Sequence, residues 1–211
     1  MIKSSLLEAV KLRFNPPVLE EMKRVFLSEP SSDFDLSSRC VQRLKGQHKK
    51  VAIVFMLLRQ KERDVSVIFT KRADNLSTHP GQISFPGGSL EPNDKSMLKA
   101  GLREVEEEIG LKESQIETIG MLRPHETVSK YLIHPFIGIM ENTAEFKINT
   151  DEVAEIFEVP LVFLLNRKNM KEHRISTGKQ YRGYFAIPYG SYYIWGATAS
   201  IIRSFTERYH R

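Results

Sequence analysis

The sequence predicts an α/β (α+β) fold, a mixed β-sheet with helices packed around it, and three observations predict it. Short apolar runs such as "VAIVFMLL" (51–58) and "VSVIFTKR" (65–72) have the length and residue types of strands. The segments "LREVEEEIG" and "ATASIIRSFTERY" instead space their apolar residues three and four apart, as amphipathic helices do. The two kinds of segment do not alternate regularly, so a purely parallel strand–helix–strand sheet is not expected.

Taken in order, residues 1–50 read as an N-terminal helical arm: "SLLEAVKLRF" (5–14), stopped by Pro16-Pro17, a second helix at "VLEEMKRVFL" (18–27), and a Ser-rich loop at 28–38. The arm is expected to pack on the main domain or on a second subunit, which would make a homodimer. The main domain is 51–211. It opens with two strands joined by the polar turn "RQKERD", a hairpin. After the glycines at 87 and 88 come the acidic helix and strands at "IETIGML", "YLIHPFIGIM" and "EIFEVP". A short helix in "PLVFLL", a strand in "YRGYFAIPYG" and a closing helix at 197–209 complete the chain.

The bulk composition narrows the class. At 211 residues, with 41% hydrophobic and 27% charged residues, the chain suits one globular domain with an appendage and shows no sign of disorder. The single cysteine, Cys40, excludes an internal disulfide, fits a reducing compartment and is expected to be a small buried hydrophobe. The start lacks a secretory signal, no run approaches ~18 apolar residues, and "RYHR" is no peroxisomal address; a cytoplasmic protein with no membrane partner is expected. A net charge of +5 favours anionic partners, but no basic run or aromatic signature points to nucleic acid.

The informative stretch is "FPGGSLEPNDKSMLKAGLREVEEEIGL" (85–111), which crowds acids onto one helix although like charges one turn apart repel. At ~100° per residue, Glu107 and Glu108 fall about 60° and about 40° to either side of Glu104. Leu98, Leu102, Val105 and Ile109 form an apolar stripe elsewhere, and Glu106 belongs to neither group and is expected in solvent. A solvent-facing acidic helix is the ordinary explanation of such a run. Three acids on one edge are instead stabilised by a hard cation such as Mg²⁺ or Mn²⁺, which takes oxygen ligands. Gly87-Gly88 lead into the helix with no side chain to obstruct an approach to the backbone. Arg103 can orient a carboxylate through a two-pronged ion pair. Such a site suits cleavage of a phosphoanhydride by metal-activated water.

These residues resemble the signature of the Nudix hydrolases, G-x5-E-x7-R-E-U-x-E-E-x-G-U with U apolar. Gly88 and "REVEEEIGL" (103–111) are in register with both ends. Asp94 replaces the first Glu, and eight residues rather than seven separate it from Arg103. Both departures are similar to the coenzyme A pyrophosphatase branch, whose upstream pattern L-L-T-x-R-[SA]-x3-R-x3-G-x3-F-P-G-G is matched by "IFTKRADNLSTHPGQISFPGG" (68–88), except that Ile68-Phe69 conservatively replace the leucines and Ser77 stands where the second Arg is expected. "DEVAEIFEVPL" (151–161) and "YYIWGATASII" (192–202) also resemble that branch, so the likeness runs from about Val51 to about Phe205.

The resemblance implies a Nudix αβα sandwich, a Mg²⁺ or Mn²⁺ cofactor, and hydrolysis of coenzyme A or acyl-coenzyme A to 4'-phosphopantetheine (or its acyl form) and 3',5'-ADP. Ser77 keeps ADP-ribose, NADH and diadenosine polyphosphates open as substrates. A nucleotide-sensing module that does not cut is a further alternative, opposed by the intact acids. By carry-over, Glu104, Glu108 and then Glu107 are the metal ligands, with the Gly88 carbonyl beside them. Arg103 orients carboxylates, and the general base is Glu104, Glu107 or, from a later loop, Glu152. Arg72 and Lys71, with Gly87 and Gly88, are placed at the substrate phosphates. His79, His125 and His134 lack zinc-type spacing and are expected in loops or packing. Tyr192, Tyr193 and Trp195 are expected in the core rather than stacked on a base.

Overall fold

The computed structural model describes residues 31–32, 50–61, 64–176 and 181–209. The two helices expected at 5–14 and 18–27, and Cys40, lie outside the described residues. Ser31–Ser32 form a short strand, β1, where a loop is expected. They pair in parallel with His125 and Glu126, a contact so remote in sequence that no local pattern could announce it.

The apolar run after Lys50 becomes the long strand Lys50–Lys61 (β2), followed by Asp64–Arg72 (β3), Ile83–Ser84 (β4) and Gly87–Ser89 (β5). Helix Met97–Ile109 (α1) leads to strands Ile116–Met121 (β6), His125–Glu126 (β7), Tyr131–Met140 (β8) and Val153–Pro160 (β9). The short helix Leu161–Leu165 (α2) precedes Lys171–Ser176 (β10), Tyr181–Tyr189 (β11) and Tyr192–Trp195 (β12), and Ala197–Tyr209 (α3) closes the chain. Among the described residues β1 to β9 form one mixed sheet and β10 to β12 a second, antiparallel one. No described helix is long and apolar enough to cross a membrane.

Alternation along β2 explains its unbroken apolar run. Phe55 and Leu57 join Ile68, Leu102, Val105 and Ile109 in a core under α1. Met56 and Leu58 join Val67, Phe69, Leu164, Ile202 and Phe205 in a second core under α2 and α3. A strand covered on both faces has no polar side to present. The expected apolar stripe of α1 is therefore the seam with the sheet: Leu102, Val105 and Ile109 are buried, Leu98 packs beside them, and Glu106 is exposed. The helix starts where the Ser96 hydroxyl accepts from the Lys99 N–H at 3.2 Å and stops at Gly110, whose φ of 74° favours glycine.

One feature of β2 positions the site. Along one edge it pairs with β8 in parallel from Lys50 to Leu58. On the other edge the β2–β3 hairpin is paired only between Leu58–Lys61 and Asp64–Val67. Beyond it the strands separate, and Gly87–Ser89 take up β2's vacated edge opposite Ala52–Val54. Gly87 has φ 146°, and a Cβ there would lie 2.2 Å from the Ile53 carbonyl oxygen, so no other residue fits without moving β2.

The polar "KEHRIS" strand (β10) and β12 are not evident in the sequence, because cross-strand pairing rather than composition makes them strands. Alternation along β12 buries Ile194 and leaves Tyr193 and Trp195 each 42% exposed, so the expectation that both lie in the core is corrected. Tyr192 does pack, its ring parallel to Phe157 with centroids 3.6 Å apart.

The contact between α1 and the sheet is close enough to test. A Cβ on Gly101 would stand 2.6 Å from Ile53 Cγ2 and 2.8 Å from the Phe55 ring, both fully buried. Gly101→Ala should therefore destabilise the fold by about 1–3 kcal/mol, seen as a lower urea midpoint at unchanged slope.

Candidate active site

Gly87 and Gly88 bring the main chain of β5 against the C-terminal half of α1, at Glu104 and Glu108. The Gly87 N–H donates to Glu108 Oε2 at 3.0 Å. At Gly88 a Cβ would sit 2.2 Å from the Glu104 carboxylate, so the missing side chain is what lets that carboxylate lie on the backbone. Glu108 is 3% exposed and Glu104 14% exposed at the side chain, both far from the solvent-facing arrangement of an ordinary acidic helix.

Their electrostatics follow from that burial. Desolvation pushes the Glu108 carboxyl up to about 7, against the Gly87 N–H and the Arg72 guanidinium, which favour its charge; Glu104 and Glu152 add repulsion. Burial also raises the Glu104 carboxyl, with Arg103 opposing and Glu107 and Glu152 reinforcing. Glu152 is thus close enough for its charge to bear on both. Its position comes from the turn before β9: the Asn149 amide donates to Glu152 Oε1 at 3.3 Å, and the Ala73 N–H donates to the Glu152 carbonyl at 2.9 Å.

Arg103 gathers three acids. Its Nε and Nη2 reach the two oxygens of Asp94 at 3.1 and 3.2 Å, Nη2 also lies 3.1 Å from Glu104 Oε1, and Nη1 donates to Glu107 Oε2 at 2.8 Å. The two-pronged pair expected of Arg103 therefore exists, with Asp94 as its partner. That bond, and the Glu91 N–H, hold the Asp94 carboxyl below its ordinary value. Asp94 has a role the sequence analysis did not assign, although its place at the signature's first acid was the available signal. Glu107 is 52% exposed and turned onto Arg103, so the shared edge of the helix does not bring it beside Glu108. Among the described residues no three His, Cys, Asp or Glu side chains converge as a ligand set; Glu104 and Glu108 are the two acids at the glycine turn.

The remaining candidates divide. Arg72 Nη1 lies 4.0 Å from Glu108 Oε1 with its side chain 27% exposed, a cation at the mouth of the site. Strand alternation carries Lys71 to the opposite face of the sheet, where its ladder partners are Ile83 and Glu155, so the two cations do not share the site. His125 is buried in β7, His134 is half-buried in β8 with burial lowering its pKa, and His79 turns an exposed loop at φ 55°; none joins the carboxylates.

A pH dependence follows. Glu108's folded value, about 7, exceeds its ordinary 4.5, so between them the folded chain binds more protons than the unfolded one. Stability should therefore fall as pH rises through that window, by up to about 3 kcal/mol once Glu108 is ionised. With divalent cations chelated, denaturant midpoints of Glu108→Gln should drop less across the window than those of the unaltered chain. Parallel curves would show that Glu108 titrates normally.

Comparison with known proteins agrees with this geometry. A family model described as the NUDIX domain matches residues 47–178. The protein named "Uncharacterized Nudix hydrolase NudL" in Shigella sonnei (strain Ss046) is 32% identical over 184 residues, covering 87% of this chain and 94% of that one. Its counterpart in Escherichia coli O1:K1 / APEC is similar to the same extent. Among solved structures, the NUDIX domain of Shewanella oneidensis NrtR, complexed with ADP ribose, superposes with a TM-score of 0.50 at 14% identity, over 77% of this chain and 89% of that one. A MutT/nudix family protein from Enterococcus faecalis gives 0.50 at 15% identity, over 76% and 62%. These structures bear on the fold, a large mixed sheet flanked by helices. Because the family model spans most of the chain and the NudL proteins nearly all of it, the chain belongs to the Nudix hydrolases, pyrophosphohydrolases that act on nucleoside diphosphate derivatives.

Proposed function

We propose that this enzyme cleaves the pyrophosphate bond of coenzyme A or an acyl-coenzyme A, with Mg²⁺ or Mn²⁺ held by Glu104 and Glu108. The observation that carries the cation is the pair of carboxylates, Glu108 buried and Glu104 half-buried, one helical turn apart and packed on the Gly87–Gly88 backbone. Their hard oxygen donors and raised pKa values suit a divalent ion, and Nudix hydrolases generally use such ions. When bound, the cation neutralises phosphate oxygens and lowers the pKa of a coordinated water.

The chain's own residues supply the rest. Arg72, beside Glu108, offers N–H donors to a phosphate oxygen. Arg103, fastened to Asp94, holds Glu104 against the glycine turn and keeps Glu107 at the helix surface. Glu152 is proposed as the general base. Its charge bears on both Glu104 and Glu108, while the other two candidates, Glu104 and Glu107, are occupied by Arg103. It accepts a proton from the attacking water as the new P–O bond forms and the bridging P–O bond breaks, leaving two phosphate esters.

Coenzyme A is favoured over other diphosphates by the stretch 68–88, which matches the branch pattern from Thr70 to Gly88. Ser77, in the loop between β3 and β4 and short of an arginine, favours ADP-ribose, NADH or a diadenosine polyphosphate as the second reading.

Purified protein with Mg²⁺ and coenzyme A should yield 4'-phosphopantetheine and 3',5'-ADP, identified by mass. Rapid cleavage of ADP-ribose with coenzyme A left intact would reject the substrate while preserving the chemistry. Glu108→Gln should lower turnover by about 100-fold or more, and Asp94→Asn by about 10-fold, since it weakens only the support of Arg103.

A further inference from the structure

The face of the sheet opposite Glu108 carries an anchor for the loop that bears Glu152. On β3, Lys71 pairs with Glu155 of β9, but the next residue, Arg72, pairs with Val153. The register shifts there, so Ala154 is an extra, exposed residue in β9, a bulge. Such a bulge re-aims the chain on either side of it, and Glu152 stands two residues before it, next to Val153.

Both sides of the bulge are tied down. On the loop side, Asn149 accepts from the Glu152 and Val153 N–H groups at 3.1 and 2.9 Å through its carbonyl. On the strand side, the Tyr192 hydroxyl of β12 donates to the Glu155 carboxylate. The tyrosine is itself fixed, its ring within 2° of parallel to Phe157, two residues further along β9. Tyr192 thus grips β9 at two same-face positions, 155 and 157, immediately ahead of the irregularity. A hydrogen bond to a carboxylate is stronger than one between neutral groups.

We propose that Tyr192 is a positioning residue: through Glu155 it sets the β9 bulge at Ala154 and hence the aim of the Glu152 carboxylate at the Glu104–Glu108 pair. This rests on the reading of Glu152 as the base. It assigns Tyr192 a function separate from stacking on a base, and gives Glu155 a role as acceptor rather than as a solvated acid.

The test is kinetic, on the full chain with Mg²⁺ and a diphosphate substrate that it cleaves. Tyr192→Phe keeps the ring on Phe157 and removes only the donor; kcat should fall by about fivefold, with KM unchanged, as expected for one misaligned hydrogen bond's worth of barrier. Glu155→Ala should show the same loss, and Glu155→Gln should restore most of it, because its amide oxygen still accepts from Tyr192. In a Glu152→Gln background, Tyr192→Phe should cost nothing further. If Glu152→Gln lowers kcat but Tyr192→Phe is harmless or its loss simply multiplies with that of Glu152→Gln, the positioning role is overturned while the base assignment survives. Full activity in Glu152→Gln would remove the base assignment, and the proposal with it. Loss of activity in Glu155→Gln as severe as in Glu155→Ala would show that the charge of Glu155 acts directly, again overturning it.

Discussion

Burying two carboxylates of like charge against a backbone turn is the constraint around which this structure is arranged. Glu104 and Glu108 are one turn apart on α1, where like charges already disfavour the helix, and removal from water adds a larger cost. The fold offsets part of this with a backbone donor, the Gly87 N–H, and with two cations from different elements, Arg72 and Arg103. It does not offset all of it, as the upward displacement of both pKa values shows. What remains is a raised affinity of both carboxylates for a proton, held in a rigid place. A site that fully satisfied its acids would have little left with which to attract an ion.

Rigidity comes from β2. Because it is covered on both faces, it cannot shift without disturbing two cores, and β5 is registered directly on it. The separation of the β2–β3 hairpin opens the edge that β5 occupies, while β3 continues outward to present Arg72 on the α1 side. One strand pair thus supplies both the platform for the glycine turn and the cation that faces it. Helix α1 is held down on the same platform by Leu102, Val105 and Ile109, so the carboxylates ride on an element that packing has already immobilised.

The parts of this arrangement written into local sequence were legible. The apolar stripe of α1, the hairpin, the long strand at 131–140 and the closing helix each carry a periodicity that fixes their type. The pairing of the side-chain-free turn with Glu104 and Glu108 was instead implied by the resemblance to the Nudix signature. What escaped depends on contacts between distant segments. Nothing in "KEHRIS" announces a strand, because it is the pairing with the separate segment 181–186 that makes it one; nothing in Ser31–Ser32 announces a pairing with His125–Glu126. Glu107 shares a helix edge with Glu108, yet its orientation was decided by Arg103, a competitor that a helical wheel does not weigh. Lys71 and Arg72 look equivalent in sequence, and alternation sends them to opposite faces.

Asp94 shows how a departure from a signature can preserve its physics. The Arg103 fork needs a planar carboxylate at a set distance, and aspartate is one methylene shorter than glutamate. Here one more residue separates the acid from Arg103, and the loop before α1 folds into a turn in which the Asp94 N–H donates to the Glu91 carbonyl at 3.1 Å and the Glu91 N–H donates to Asp94 Oδ2 at 2.8 Å. The turn brings the shorter acid to the guanidinium and helps fix the plane of its carboxylate. With the substitution and the longer spacing together, the chain delivers a two-pronged pair at 3.1 and 3.2 Å. What the arrangement preserves in this chain is the orientation of Arg103, and through it of Glu104, with an aspartate standing in the place of the signature's glutamate.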